Sequence, residues 1–229
     1  MKTIKCTFTK YKHGIPLLIF FALYLIWFAW LEQTNTKDYY VIHVGMDDYI
    51  PFCEVFIVPY LLWFVYVAGV VAYLFLTNKE EYYRSFAFLA TGMTLFLIIS
   101  TLWPNGHHLR PPVMPRDNVF TKMIAVLWQT DTPTNLWPSI HVYNSLGAHF
   151  AVLHCPSLAD KKGIRTASGI LAVSIILATM LIKQHSVFDV ATGIILGAVM
   201  YVIIYRRELL LSARTQHKKN PKTPQAGQA

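Results

Sequence analysis

The sequence predicts an all-α polytopic membrane protein, a bundle of six transmembrane helices. Three observations predict it. Of 229 residues, 55% are hydrophobic and only 14% charged, with a mean hydropathy of +0.40; a soluble domain is about a quarter charged. Ile15 to Leu31, Phe52 to Leu76 and Ser85 to Leu102 each approach or exceed the roughly 18 apolar residues that mark a spanning helix. The third observation is where the charges fall. Spans over 15–31, 52–76, 85–102, 139–155, 167–182 and 187–205 leave four segments on one side of the membrane, and these carry 15 of the 20 Lys and Arg. The positive-inside rule then puts both termini in the cytoplasm.

The same counts exclude several classes. A net charge of +8 is explained by topology and attraction to anionic lipid heads rather than by nucleic acid. Three scattered cysteines, Cys6, Cys53 and Cys155, lack the spacing of a disulfide framework or a zinc site.

Taken in order, the first span follows a basic stretch (Lys2, Lys5, Lys10, Lys12) but ends in Leu31-Glu32-Gln33, which offers no small-x-small cleavage site. It reads as a retained helix and not a signal peptide. Two long outer segments follow the first and third spans, Glu32 to Pro51 and Trp103 to Pro138. In the second of these, Val119 to Gln129 has apolar residues at helical spacing, suiting either an interfacial helix or a packed loop helix. Tyr39, Tyr40, Tyr49, Trp103 and Trp137 sit where aromatic rings anchor at the interface. The fourth span, Ser139 to Cys155, contains His141, Asn144, Ser145, His149 and His154, so it is expected inside the bundle, away from lipid. The chain divides into a cytoplasmic N-terminus (1–14), one membrane domain (15–205) and a basic cytoplasmic tail (206–229) whose polar, Pro- and Gly-containing composition predicts disorder.

Three clusters fall at the outer face: Leu109-Arg110-Pro111, Pro138-Ser139-Ile140-His141, and His185-Ser186-Val187-Phe188-Asp189. His185 and Asp189 are four apart and share a helical face. A carboxylate on one imidazole nitrogen fixes the tautomer and sharpens the other nitrogen as base or nucleophile. His141 is placed to supply the complementary proton, and the pair is equipment for phosphoryl transfer. Arg110 offers a planar fork for phosphate oxygens. Ser139 after Pro138 gives a hydroxyl and free N–H groups at a positive helix end. Lys183 and Arg116 are further cation candidates. His107 and His108 read as loop surface residues, while His149 and His154 read as satisfied inside the bundle. Nothing in the spacing calls for a metal.

Arg110-Pro111, Pro138-Ser139-x-His141 and His185-x3-Asp189, in this order, resemble the motifs of the type 2 phosphatidic acid phosphatase superfamily, which includes inositolphosphorylceramide-synthase-like transferases. The resemblance covers about Phe52 to Tyr205. It implies a six-helix membrane fold, an outer-face site, no cofactor and a lipid phosphate as substrate. Residue by residue, it implies that His185 forms a phosphohistidine, Asp189 orients it, His141 protonates the leaving oxygen, and Arg110 with Ser139 holds the phosphate. The departures are Trp103 where the family has lysine, Ala178 and Thr179 where it has Ser-Arg, and Ile140 where it has glycine. Lys183 or Arg116 is the expected substitute for a lost cation.

The first expectation is therefore an integral membrane lipid phosphatase, located in the plasma membrane with its site outside. A phosphotransferase with an alcohol acceptor is the alternative, similar to the inositolphosphotransferase branch in Ile140 and in the Asp48-to-Phe52 run leading to Pro59-Tyr60-Leu61. A non-catalytic carrier or structural membrane protein is the alternative of another class.

Overall fold

A computed structural model describes residues 11–35 and 38–206. Most of the basic N-terminus and the tail from 207 onward therefore lie outside the described residues. Seven α-helices run in chain order: α1 (Ile15–Thr34), α2 (Ile57–Thr77), α3 (Lys79–Leu102), α4 (Val119–Thr130), α5 (Ile140–His154), α6 (Lys162–Leu181) and α7 (Val187–Tyr201). A π-helical turn, Val202–Arg206, prolongs the last. The protein is an all-α integral membrane protein.

Among the described residues, five helices are long and apolar enough to cross a bilayer: Lys12–Thr34, Glu54–Thr77, Lys79–Leu102, Lys162–Leu181 and Val187–Arg206. The sixth expected span is α5, which has 15 residues. At about 1.5 Å per residue that is roughly 22 Å, short of a hydrocarbon core of about 30 Å. Its burial explains how it keeps polar groups: Val142, Tyr143, Asn144, Ser145, Gly147, Ala148, Ala151 and Val152 are all buried. It packs against α2, α3, α6 and α7. Lipid is left to the outer helices, where Leu18, Ile26, Val65 and Ile170 are each more than 60% exposed.

Four helix starts, those of α3, α4, α5 and α7, are capped by short polar side chains. Asn78 accepts from the Glu81 N–H at 3.0 Å and opens α3, with Glu80 and Glu81 in its first turn. Asn118 accepts from Phe120 and Thr121 N–H, both at 3.0 Å, and the Thr121 hydroxyl accepts in return from the Asn118 N–H. That capping box fixes α4 as a packed helix of the outer segment. Ile124 is fully buried against Ile57 and Tyr60 of α2, and Ile182 beyond α6, while Val119 and Val126 face outward.

The outer segments are also joined by a feature the all-α expectation did not contain. Tyr40–Val41 pairs in parallel with Asn105–Gly106. Asn105 then holds the following chain: its carbonyl accepts from Asn135 N–H at 2.7 Å, and its Oδ1 from Leu136 and Trp137 N–H at 2.8 and 2.9 Å. The chain is thereby delivered to Pro138 and the start of α5.

Candidate active site

Two helix starts carry the centre. Ser139 opens α5 with its Oγ accepting from Val142 N–H at 3.4 Å, and its own N–H donates to the Asp189 carbonyl at 3.3 Å. Ser186 opens α7 by a capping box, with Ser186 Oγ accepting from Phe188 N–H at 3.1 Å and Asp189 Oδ2 accepting from Ser186 N–H at 3.0 Å. The Ser139-to-Asp189 bond sets the two starts side by side. His141 Nδ1 consequently lies 3.3 Å from His185 Nε2. The other His185 nitrogen, Nδ1, is 3.5 Å from Asp189 Oδ2. This is ion-pair distance but long for a hydrogen bond, and His185 Nδ1 and Asp189 Oδ1 are buried with no hydrogen-bond partner. The three residues joined by sequence reasoning thus form one line, Asp189–His185–His141.

The wall behind His141 is aromatic. Its ring lies tilted against Tyr60 and Trp63, both from α2, with centroids 4.8 and 4.5 Å away. Burial, with the Arg110 charge adding to it, pushes the His185 imidazole down to about 3, so at neutral pH it is uncharged.

Arg110 is held close by. Its Nη2 donates to Gln184 Oε1 at 2.5 Å and to the Asp131 carbonyl at 2.9 Å, and Nη1 donates to the Trp128 carbonyl at 3.2 Å. Its plane lies over the Trp128 ring at 5.4 Å. Gln184 completes a network by donating to Asp131 Oδ2 at 2.7 Å and to the Tyr60 hydroxyl at 3.3 Å. Burial, opposed by the Arg110 charge, moves the Asp131 carboxyl up to about 6.

The structure does not bring the two further cations to this centre. Lys183 adopts a left-handed backbone, φ 57°, and its Nζ donates to the carbonyls of Asp47 and Ile50 at 3.1 and 2.6 Å. Arg116 is more than half exposed and pairs with Glu54 through two bonds, at 2.6 and 2.5 Å. Each is held instead by a partner from the Asp47–Glu54 stretch, Lys183 by backbone carbonyls and Arg116 by a carboxylate. Trp103 is exposed at the end of α3, and Thr179 is buried with its carbonyl accepting from the Gln184 and His185 N–H groups at 2.9 and 3.0 Å.

His107 also departs from its reading as a surface residue. It is 1% exposed, its Nδ1 accepts from Leu109 N–H at 3.2 Å, and its Nε2 therefore donates to the Gln184 carbonyl at 3.0 Å. Burial pushes it down to about 4. His108 is exposed, as expected. His149 and His154 find partners inside the bundle, Ser168 Oγ at 3.0 Å and Tyr201 Oη at 3.1 Å.

No family model, curated protein or solved structure matches this chain. The chemistry is read from the site itself. An uncharged buried imidazole has a carboxylate at one nitrogen and a second imidazole at the other, and the Arg110 guanidinium, bonded to the neighbouring Gln184, is close enough to act on its charge. Such a line can move a proton, or hold an electrophile while one ring attacks and the other protonates. Among the described residues, no group of three or more His, Cys, Asp or Glu is placed to hold a metal ion.

Proposed function

We propose that the protein is a lipid phosphatase of the type 2 phosphatidic acid phosphatase kind. In this reading α5 completes six spans, both termini are cytoplasmic, and the histidine pair faces the outside of the plasma membrane. The observation that carries it is the Asp189–His185–His141 line, with 3.5 and 3.3 Å between successive members.

The phosphate of a lipid monoester or diphosphate displaces the His141–His185 hydrogen bond and lodges between the rings. His141 takes up a proton as the phosphate anion enters between the rings. His185 Nε2 attacks phosphorus, the bond from phosphorus to the leaving oxygen breaks, and the His141 imidazolium gives that oxygen the proton, becoming neutral. Water then attacks the phosphohistidine, losing its proton to His141, and inorganic phosphate leaves. Asp189 orients the ring and stabilises the charge it acquires. Arg110, the Ser139 hydroxyl and the first-turn N–H groups of α5 bind the phosphoryl oxygens.

One observation favours a second reading. Arg110 is the only one of the three candidate cations close to the pair, and Asp131, joined to it through Gln184, offsets its charge. A single, partly balanced cation suits a monoanionic phosphodiester better than a dianionic monoester, which is the substrate form of a head-group transferase.

The test is phosphate release from phosphatidic acid by the purified protein in detergent, with chelator present. Release that disappears in His185→Ala is the expected result. Full activity in His185→Ala overturns both readings, and a new phosphodiester lipid formed only when an alcohol is supplied selects the transferase.

A further inference from the structure

Among the buried carboxylates that the catalytic reading does not use, Asp47 is the one bonded to the turn that carries His185. Asp47 lies in the outer segment between α1 and α2, within the short 3-10 turn Gly45–Tyr49, and is 2% exposed. Its side chain reaches the turn between α6 and α7. Oδ2 accepts from the Ser186 hydroxyl at 2.7 Å and Oδ1 from Val187 N–H at 2.8 Å. Oδ2 also accepts from Val44 N–H at 2.9 Å, which closes its own turn. A second tie runs alongside, from Lys183 Nζ to the carbonyls of Asp47 and Ile50. The turn carrying His185 is therefore clamped on both sides of that histidine by one outer segment.

We propose that Asp47 is a positioning residue for His185, acting through Asp189. The start of α7 presents donors that must be satisfied. Asp47 takes two of them, the Ser186 hydroxyl and the Val187 N–H, so Asp189 is left with only the Ser186 N–H. Asp189 Oδ1 then carries no hydrogen bond, and Oδ2, which accepts from the Ser186 N–H, lies 3.5 Å from His185 Nδ1. Without Asp47, the two freed donors compete for Asp189, which is the nearest remaining carboxylate on the same helix turn. Asp189 is then drawn further into capping, and His185 loses the carboxylate that faces its Nδ1. The neighbouring Asp48 supplies an internal control. It is exposed and pairs with His43 at 2.8 Å.

The inference rests on the phosphoryl-transfer reading, so its test has one arm that needs no turnover. In full-length, detergent-solubilised protein labelled with ¹⁵N-histidine, wild type is expected to hold the His185 proton on Nδ1, and Asp47→Asn to show mixed tautomers. An unchanged tautomer overturns the proposal, whether or not the protein releases phosphate. In the kinetic arm, Asp47→Asn is expected to lower kcat about ten- to a hundredfold with little change in KM, because misplacement of a reacting group has effects of this order. Asp48→Asn leaves kcat unchanged. In an Asp189→Asn background, Asp47→Asn is expected to add no further loss, since residues acting through one another are not additive. Losses that multiply in the double variant would assign Asp47 a merely structural role. Should Asp47→Asn fail to fold, Ser186→Ala removes the 2.7 Å bond while keeping the carboxylate; it is expected to mix the His185 tautomers, and an unchanged tautomer there overturns the proposal as well. Absence of phosphate release by wild type, by contrast, counts against the phosphatase reading alone.

Discussion

Arg110 is held by its two terminal nitrogens while its buried Nε has no hydrogen-bond partner. Its three donor contacts are to two backbone carbonyls and one amide oxygen, none of them charged, so a phosphate can compete for the same fork. Lysine would keep the charge and lose the fork. Arg110→Lys is expected to reduce kcat/KM about ten- to a hundredfold, a loss seen in steady-state phosphate release and larger for monoesters than for diesters. Acid sensitivity follows from the buried imidazoles. His107 and His185 sit at about 4 and about 3 in the folded protein, below the free value of about 6.5. The unfolded chain therefore binds more protons between those limits. Their stabilising contribution is complete above about pH 6.5 and is lost as pH falls toward 4, by roughly 3 kcal/mol for each. Asp131, raised to about 6, has the opposite sign: it binds its proton more tightly when folded, so it offsets part of the loss between about pH 6 and 4. Thermal unfolding is expected to shift down steadily between pH 6.5 and 4, and His107→Gln to flatten that slope. The histidine pair and Asp189 were legible in the sequence because spacing at helix starts carries information. Asp47, Asp131 and Gln184 were not. Their partners lie 53 to 140 residues away, and no local pattern encodes such a pairing. The partners of Lys183 and Arg116 were hidden for the same reason, since nearness along the chain says nothing about which carbonyl or carboxylate holds a cation.

Among the elements, α5 is the least typical membrane helix and the most tightly packed. Gly92 of α3 lies so close to it that a Cβ there would be 2.0 Å from the Tyr143 ring. Tyr143 has no room to yield, since its hydroxyl donates to the Phe88 carbonyl at 2.8 Å and its ring stacks on Phe88 at 4.5 Å. Gly92→Ala is expected to destabilise the protein by about 1–3 kcal/mol, the usual cost of overpacking. Gly163→Ala, where nothing lies within 4 Å, should be neutral or slightly stabilising. Detergent thermal melts of the two variants make the comparison. The polar content of Ser139 to Cys155 correctly placed this segment inside the bundle. The sequence also led to the helices on either side, whose apolar runs are long, although α3 and α6 begin earlier than hydropathy suggested, at Lys79 and Lys162. Those extra turns are polar, and helix formation does not stop where lipid does. The paired strands Tyr40–Val41 and Asn105–Gly106 escaped notice because two residues give no periodicity.

For the whole molecule, the proposed topology makes a labelling test simple. With α5 as a sixth span, residues 108 and 161 lie on opposite faces of the membrane. Cysteines introduced at these exposed positions are expected to react with an impermeant thiol reagent from the outside and the cytoplasmic side respectively. Labelling of both from one side would remove α5 from the list of spans. The apolar balance of the chain was enough to read the membrane class, because each outer helix presents large side chains to lipid over most of its length. It could not show that a 15-residue helix is held within the ring of longer ones, which depends on the packing of four neighbours.

The clamp from Asp47 to Ser186 and Val187 joins residues 139 and 140 positions apart. A ribosome delivers the first partner long before the second, and the translocon has released most of the helices by the time the α6–α7 turn emerges. The histidine pair cannot be assembled on a partly synthesised chain. On the phosphatase reading, a chain truncated before α7 is expected to release no phosphate from lipid.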